Sequence, residues 1–158
     1  MKILAVLGSG GHTAQIIKLI ELLGDQFDYQ YMVGFGDVLS VSRIRRKGKV
    51  YFVHRARDHG DDLLTTAFKV MRLFFESLFV IISAKPDAVI SAGPGLAVPI
   101  SILGKIFGKK VIFLESWSRV YRGSTAGRIL YHFADLFFVQ WSELKRVYPR
   151  AIYAGRLL

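Results

Sequence analysis

The sequence predicts an α/β fold: a single parallel sheet of about six strands with helices on both faces. Short apolar runs, typical of buried parallel strands, alternate along the chain with segments of helical periodicity. Two of these runs end in glycine-rich turns, at residues 8–11 and 93–95, and a helical pattern follows each turn. With 158 residues, 52% of them hydrophobic, the chain is expected to form one Rossmann-like domain, residues 1–158, around one core.

The first unit is an apolar strand followed by a glycine turn and a helix. The run at residues 3–7 is apolar throughout, as expected for a strand buried on both faces. Gly8, Gly10 and Gly11 remove the Cβ atoms that would block close approach, and the N-terminus of the following helix adds N–H groups and a positive dipole end. The turn at residues 8–13 therefore predicts a site for phosphate or pyrophosphate.

The turn does not complete the dinucleotide-binding fingerprint. Gly8 and Gly10 match its first two glycines, but the third falls at Thr13, and no strand-ending acid follows at the usual distance. A nicotinamide- or flavin-dependent enzyme is therefore disfavoured, and no cofactor of its own is predicted for this chain.

Two more strands and a charged loop follow. Residues 29–33 and 50–53 are predicted as the second and third strands, separated by a basic crossover at residues 37–49 with room for a short helix. The loop after the third strand contains His54 and His59, a pair that suggests a metal site, but its arginines repel divalent ions. The loop is expected to be solvated or to face the substrate, and no metal site is predicted.

The longest apolar element is the helix predicted at residues 61–83. Its stripe comprises Leu64, Ala67, Phe68, Met71, Phe74, Phe75, Leu78 and Ile82, and Leu63, Val70, Leu73, Phe79 and Val80 widen it beyond the usual arc. Lys69, Arg72 and Glu76 interrupt the apolar sequence, which disfavours a membrane span. Two interpretations stay open: a helix packed deeply on the sheet, and a helix whose second apolar side meets a lipid surface or a subunit.

A second glycine turn, Gly93-Pro94-Gly95, lies between the fourth predicted strand at residues 86–92 and a helix at residues 96–107. In a doubly wound sheet of order 3-2-1-4, strands 1 and 4 lie side by side and the helices after them go to opposite faces. Both glycine turns then border one crevice, where such folds bind ligands. A ligand site is favoured over simple connection chemistry.

The fifth predicted strand, residues 111–114, ends at Glu115 and is followed by Ser116 and Arg119. A carboxylate at this edge faces the same crevice if the strand pairs in parallel. Glu115 could cap a helix or pair with Arg119, or it could bind sugar hydroxyls or polarise a general base. The remaining predicted elements are a helix at 124–133 capped by Ser124, a strand at 135–139, a short helix at 142–147 and an extended segment at 151–154.

The chain is strongly basic: 22 Lys and Arg against 12 Asp and Glu give a net charge of +10. This charge predicts attraction to the phosphates of nucleic acid, of anionic lipid or of a pyrophosphate substrate. Nucleic acid is disfavoured because most aromatic residues fall on core-facing or helix-stripe positions. The absence of cysteine excludes disulfides, thiolate zinc sites and a cysteine nucleophile.

A series of short motifs is spread in order over nearly the whole chain. It comprises Gly8-Ser9-Gly10-Gly11-His12-Thr13, Pro86-Asp87, Gly93-Pro94-Gly95, Val98-Pro99-Ile100, Phe113-Leu114-Glu115-Ser116 with Arg119, Ser124 with Gly127, Tyr131, Ala134-Asp135, Gln140-Trp141, Tyr148-Pro149 and Tyr153-Ala154-Gly155. Together these motifs resemble the Alg14 family of glycosyltransferase subunits. The Gly-Gly-His turn is also similar to the acceptor-side loop of MurG-type GT-B glycosyltransferases.

The resemblance implies the N-terminal, acceptor-binding half of a split GT-B enzyme, in which an Alg13-like chain holds the UDP-sugar donor. It also implies a lipid-linked diphosphate acceptor, in N-linked oligosaccharide or bacterial exopolysaccharide synthesis. Eukaryotic members carry an N-terminal membrane anchor that this sequence does not show. The chain is therefore expected to attach peripherally at the cytoplasmic face of a membrane, through the helix at 61–83 and the basic crossover. A purely non-catalytic membrane scaffold for a capsule or exopolysaccharide glycosyltransferase is the alternative.

The candidate residues follow from the chemistry of sugar transfer, which needs a base for the acceptor hydroxyl and positive charge for the diphosphate. His12 is the candidate base, because imidazole is matched to neutral pH, and Glu115 is the alternative; a structural role stays open for both. The predicted acceptor site comprises Gly8, Ser9, Gly10, Gly11, Thr13, Gly93, Pro94, Gly95, Ser116 and Arg119. The predicted membrane or partner surface comprises Arg55, Arg57, Phe68, Arg72, Phe75 and Phe79.

Overall fold

The computed structural model describes residues 1–56, 60 and 62–157. The strands are β1 (Lys2–Leu7), β2 (Asp28–Gly34), β3 (Val50–Val53), β4 (Ala88–Ser91), β5 (Lys110–Leu114), β6 (Leu136–Val139) and β7 (Ile152–Tyr153). The helices are α1 (Gly11–Leu23), α2 (Val38–Ser42), α3 (Leu63–Ala84), α4 (Ala97–Ile106) and α5 (Thr125–Leu130), and a 3-10 helix spans Ser142–Arg146. The predicted residues Arg57 and His59 lie outside the described part of the chain.

Within the described residues, seven strands form one sheet in the order β3-β2-β1-β4-β5-β6-β7. Every pairing is parallel, so the carboxyl ends of the strands meet at one edge. The predicted fold class and the order 3-2-1-4 are confirmed. The sheet has one strand more than the six or so expected, because the extended segment predicted at 151–154 pairs with β6 as β7.

Each face of the sheet has its own core, because successive residues of a strand point to opposite faces. Leu4 and Val6 of β1 pack in one core with residues of α3 and α4. Ile3, Ala5 and Leu7 pack in the other with residues of α1. The helices that follow β1 and β4 therefore cover opposite faces, as predicted.

Helix α3 packs against the sheet along one side only. Its buried residues are Leu73, Ser77, Val80, Ile81 and Ala84. Most of the stripe predicted as its main apolar face points outward instead: Phe68 is 70% exposed and Phe75 is 61% exposed. The contacts to the core come from flanking positions, so the helix packs on the sheet along one side and leaves its other apolar side exposed. The contact of that side with a lipid surface or a subunit stays a prediction. Among the residues described, no helix combines the length and apolar composition needed to cross a bilayer.

The elements near the end of the chain are shorter than predicted. Ser124 caps α5 as expected, since its Oγ accepts a hydrogen bond from the Gly127 N–H at 2.9 Å. The helix ends at Leu130 rather than at 133, because the following residues turn to bring the Asp135 N–H to the Val111 carbonyl, 2.8 Å away, where β6 joins β5. The short helix predicted at 142–147 is a 3-10 helix.

Candidate functional site

An open cleft lies at the carboxyl ends of β1, β4 and β5. Its larger part, of about 460 Å³, is lined by residues of α1, α3, α4 and α5, and an adjoining part of about 410 Å³ reaches the ends of β1 and β2. His12, Ala56, Gly93 and Gly95 line both parts. Both volumes lie in the range of small-molecule sites. The cleft lies in the predicted crevice, with a glycine turn on each side.

The two glycine turns pack directly against each other at the floor of the cleft. A Cβ at Gly8 would overlap the side chain of Pro94, so the turns can meet only because residue 8 is glycine. Gly10 and Gly93 have φ angles of 71° and 94°, in the left-handed region that favours glycine. The two turns, which were predicted to border one crevice, therefore contact each other directly.

The contact predicts that Gly8→Ala destabilises the fold by about 1–3 kcal/mol, the usual cost of overpacking a close contact. Gly95→Ala is the matched control, because nothing lies within 4 Å of a Cβ at that position. It is expected to change the free energy of unfolding by less than about 0.5 kcal/mol. Urea denaturation of both variants checks this, and equal stabilities would contradict the packing argument.

Thr13 holds the first turn from within. Its hydroxyl contacts the Gly8 carbonyl and lies 2.7 Å from the Ser40 Oγ, and the residue is fully buried. Thr13 lines neither part of the cleft. Its contribution to the site is the shape of the turn.

The start of α1 presents unpaired N–H groups. The N–H of Thr13 donates to the Gly8 carbonyl at 3.0 Å and that of Ala14 to the Gly10 carbonyl at 3.3 Å. For the N–H groups of Gly11 and His12, the described part of the chain supplies no acceptor. Free N–H groups at a helix N-terminus, together with the helix dipole, attract anions.

His12 lies where the two parts of the cleft meet. Its Nδ1 is 2.6 Å from the Ala92 carbonyl oxygen, at the end of β4. A carbonyl only accepts, so the neutral ring carries its proton on Nδ1 and has its lone pair on Nε2. This tautomer suits a base, because the lone pair is on Nε2 and the contact with the Ala92 carbonyl uses Nδ1.

Glu115 has a different position from that expected. Its side chain is fully buried and lines neither part of the cleft. The carboxylate accepts hydrogen bonds from the Ser116 N–H, from the N–H and hydroxyl of Ser124, and from the Tyr148 hydroxyl, at 2.9 to 3.2 Å. Burial, with Glu115 beside it, raises the pKa of the Tyr148 phenol. The geometry favours the capping role over the catalytic one, and the role as base stays a prediction.

Two arginines border the cleft. Arg119 lines the larger part and Arg55 the smaller. Both residues are exposed, and no carboxylate of the described residues pairs with either. Ser116, which also lines the larger part, places its Oγ 3.1 Å from that of Ser118. The cleft therefore combines positive charge with hydroxyl groups.

The sequence did not predict one wall of the cleft and the polar network behind it. Residues 124–126 and Ile129, from α5, line the larger part. Behind the loop after β5, the Gln15 Oε1 accepts hydrogen bonds from the Trp117 N–H at 3.0 Å and from Gln140 at 2.6 Å. Gln15 precedes Ile16 on the buried side of α1, and a polar residue beside the apolar positions of a helix was the available sequence signal for this network.

The predicted membrane or partner surface is largely exposed. Phe79 is 68% exposed, like Phe68 and Phe75. Arg72 is different, because its Nε donates to Glu76 Oε1 at 3.0 Å. Glu76 also holds the end of β3: its Oε2 accepts from the His54 N–H at 2.7 Å, and its Oε1 lies 2.7 Å from the His54 Nδ1. Arg72 thus belongs to a cluster that ties α3 to the sheet.

The cluster predicts an acid-dependent loss of stability. Burial alone would raise the pKa of Glu76. Hydrogen bonds from His54 and Arg72 outweigh this effect and lower the pKa below its ordinary value of 4.5. The stabilisation from Glu76 is therefore complete above pH 4.5 and is lost as the pH falls through the lowered value. Glu76→Gln is expected to cost about 1–3 kcal/mol at pH 7.

The difference between wild type and Glu76→Gln should shrink as the pH falls below 4.5, in denaturation curves recorded across that range. Glu21→Gln is the control, because Glu21 belongs to an ion pair with Arg45, whose side chain is 79% exposed. A difference that does not depend on pH would contradict the assignment.

A single parallel sheet with helices on both faces and a cleft at its switch point defines a Rossmann-like domain. The structure matches the crystal structure of MurG from Acinetobacter baumannii with a TM-score of 0.74 at 16% identity. The match covers 90% of this chain and 42% of that chain, so this chain spans about two fifths of the length of that protein. The fold is that of the N-terminal domain of GT-B proteins.

The chain belongs to the Alg14 family, because the family model described as "Oligosaccharide biosynthesis protein Alg14 like" matches residues 3–157. The UDP-N-acetylglucosamine transferase subunit ALG14 of Homo sapiens is 33% identical over 180 residues, which cover 100% of this chain and 83% of that protein. The corresponding subunit of Schizosaccharomyces pombe is 36% identical over 171 residues, covering 97% and 81%. The family resemblance predicted from the motifs is confirmed.

Proposed function

We propose that this glycosyltransferase subunit binds a lipid-linked diphosphate sugar acceptor in its cleft and acts with an Alg13-like chain that holds the UDP-sugar donor. One observation carries the proposal: a helix N-terminus, His12 and two arginines converge on one cleft, and among the described residues the His12 Nε2 and both guanidinium groups have no partner. The relatives named as UDP-N-acetylglucosamine transferase subunits support the donor class.

The diphosphate of the acceptor would bind at the N-terminus of α1. The N–H groups of Gly11 and His12 lack acceptors in the described residues, so they can donate to phosphate oxygens. Arg119 lines the larger part of the cleft and Arg55 the smaller part, so each brings a positive charge to the site. Charge-assisted hydrogen bonds of this kind are about twice as strong as neutral ones.

His12 would take the proton of the acceptor hydroxyl. As that oxygen bonds to the anomeric carbon of the donor sugar, the bond from that carbon to the nucleoside diphosphate breaks, and the proton passes to Nε2. The Ala92 carbonyl, 2.6 Å from Nδ1, holds the ring orientation and stabilises the imidazolium that forms. In this mechanism Glu115 is a positioning residue: it fixes Ser116 and Ser124, which line the cleft.

The partner chain would supply the donor site. The relatives are named as subunits of a UDP-N-acetylglucosamine transferase. Their names support a division of the enzyme in which the nucleotide is held, and its departing diphosphate stabilised, by another chain.

The exposed apolar side of α3 would attach the subunit peripherally to the cytoplasmic face of a membrane. Phe68, Phe75 and Phe79 are each more than 60% exposed. The net charge of +10 favours anionic lipid beside these residues. This surface would place the cleft within reach of an acceptor whose lipid stays in the bilayer.

The alternative is a non-catalytic scaffold that recruits and anchors a capsule or exopolysaccharide glycosyltransferase. It would need α3 and the partner surface but no free Nε2 in the cleft. A substitution of His12 that leaves turnover unchanged would favour it.

Arg119→Ala tests the proposed anion site. It is expected to weaken binding of inorganic pyrophosphate to the isolated chain by about tenfold, the loss of one charge-assisted hydrogen bond, measured by isothermal titration calorimetry. Arg122→Ala is the matched control, since Arg122 is exposed on the same loop but lines neither part of the cleft. Equal affinities in the two variants, or no binding by the wild type, would contradict the proposed site.

A further inference from the structure

We infer that the lipid chain of the acceptor leaves the diphosphate site through an apolar corridor between α3 and α5. The corridor is formed by Ala56, Val70, Val98 and Ile129. This inference rests on the proposed function and names the residues that would contact the first isoprene units of the lipid.

The larger part of the cleft is amphiphilic. Its polar lining comprises His12, Ser116, Ser118, Arg119, Ser124 and Thr125. The corridor residues line the same cavity and bring no charge to it. A cavity lined by both a cation and apolar side chains fits a single molecule that has an anionic head and a hydrocarbon tail.

Two of the four corridor walls are exposed. Val70 is 43% exposed and Ile129 is 38% exposed, although both are apolar and lie on helices that pack inward elsewhere. Ala56 and Val98 are partly buried and pack against the core behind them. On α3, Leu73 follows Val70 by three residues and is fully buried. Among the described residues, no contact buries the Val70 and Ile129 side chains fully.

The corridor continues onto the exposed side of α3. Phe74 follows Val70 by one helical turn, which places the two side chains next to each other on the helix surface. The Phe74 and Phe75 rings lie edge to face with centroids 6.1 Å apart, and the residues are 39% and 61% exposed. An apolar path thus leads from the cleft to the surface proposed to meet the membrane.

The apolar path from the cleft to the exposed side of α3 favours a prenyl chain as the ligand of the corridor. A soluble sugar or nucleotide would fill the polar end and gain nothing from Val70 and Ile129. A prenyl chain attached to the diphosphate would bury both side chains and then enter the bilayer beside α3. The hydrophobic gain grows with each CH₂ removed from water.

The test compares two probes, farnesyl diphosphate and inorganic pyrophosphate, by isothermal titration calorimetry of the full chain. The wild type is expected to bind farnesyl diphosphate at least about tenfold more tightly than pyrophosphate, because only the first probe has a prenyl chain. Val70→Asp and Ile129→Asp should remove most of this difference, since a carboxylate beside hydrocarbon is unfavourable. The added negative charge lowers the affinity for both probes, so the ratio of the two affinities is the quantity compared.

Phe79→Asp is the matched control, because Phe79 is 68% exposed on α3 and does not line the cavity. It should leave the preference for farnesyl diphosphate intact. Val70→Trp, which keeps the position apolar but fills the corridor, should lower farnesyl diphosphate affinity without loss of thermal stability. Equal affinities of the wild type for the two probes, or an unchanged preference in both aspartate variants, would overturn the corridor alone. Failure of the wild type to bind either probe would overturn the proposed function and the corridor together.

Discussion

His12→Ala is expected to lower the turnover of the complex with its partner chain by about 10²- to 10⁴-fold, the usual contribution of a general base. The geometry behind this expectation is specific: the Ala92 carbonyl, 2.6 Å from Nδ1, directs the lone pair to Nε2. The substitution removes that nitrogen from the point where the two parts of the cleft meet. A transfer assay with the donor and a lipid-linked acceptor measures the effect.

His12→Asn separates the base from a structural role. An asparagine amide can donate to the Ala92 carbonyl in place of Nδ1, but its side chain has no basic nitrogen. The account therefore predicts that His12→Asn is as inactive as His12→Ala while it keeps the stability of the wild type. Near-wild-type turnover in His12→Asn would show that the hydrogen bond, and not the base, is what the site requires.

The triple variant Phe68→Ser, Phe75→Ser, Phe79→Ser is expected to reduce binding to anionic liposomes by about 100-fold or more. Each buried phenylalanine contributes about 1.5–3 kcal/mol, so three should exceed the 2.7 kcal/mol that a 100-fold change requires. Serine leaves the net charge unchanged, so the loss would report the apolar contact. Flotation with vesicles of phosphatidylcholine and phosphatidylserine measures it.

A matched triple variant, Leu22→Ser, Ile106→Ser, Tyr153→Ser, serves as the control. Its residues are 66%, 70% and 50% exposed and lie on α1, α4 and β7. Flotation like that of the wild type is expected. An equal loss in both triple variants, or no loss in either, would remove α3 from the proposed membrane contact.

The glycine turns and the strands could be predicted because their signals are local. Gly8, Gly10 and Gly93 stand at positions where close packing or a positive φ requires glycine. The parallel strands are short apolar runs bounded by turns, so their positions needed no knowledge of distant contacts. Their order then placed both turns beside one cleft.

The side of α3 that faces the sheet could not be predicted from the composition of the helix. A helix that is apolar on most of its surface has no single face that periodicity can assign to the core. The buried side is set by residues such as Leu73 and Val80, which interlock with the sheet and α4. All four phenylalanines of the helix, Phe68, Phe74, Phe75 and Phe79, are exposed.

The environment of Glu115 depends on contacts that are distant in sequence. The Tyr148 hydroxyl lies 33 positions away along the chain, and Gly127 is where a Cβ would overlap the carboxylate. A strand-ending acid looks the same in sequence whether it faces a ligand or an internal cap. The α5 wall of the cleft and the Gln15–Gln140 hydrogen bond were not predicted, because they too depend on contacts between residues distant in sequence.

The ligand preference of this chain without its partner distinguishes an acceptor site from a donor site. The measurement is equilibrium binding of a prenyl diphosphate sugar and, separately, of UDP-N-acetylglucosamine to the isolated chain. We expect the isolated chain to bind the prenyl diphosphate sugar and not the nucleotide sugar. Binding of UDP-N-acetylglucosamine without binding of the prenyl diphosphate sugar would contradict the proposed division of labour between the two chains.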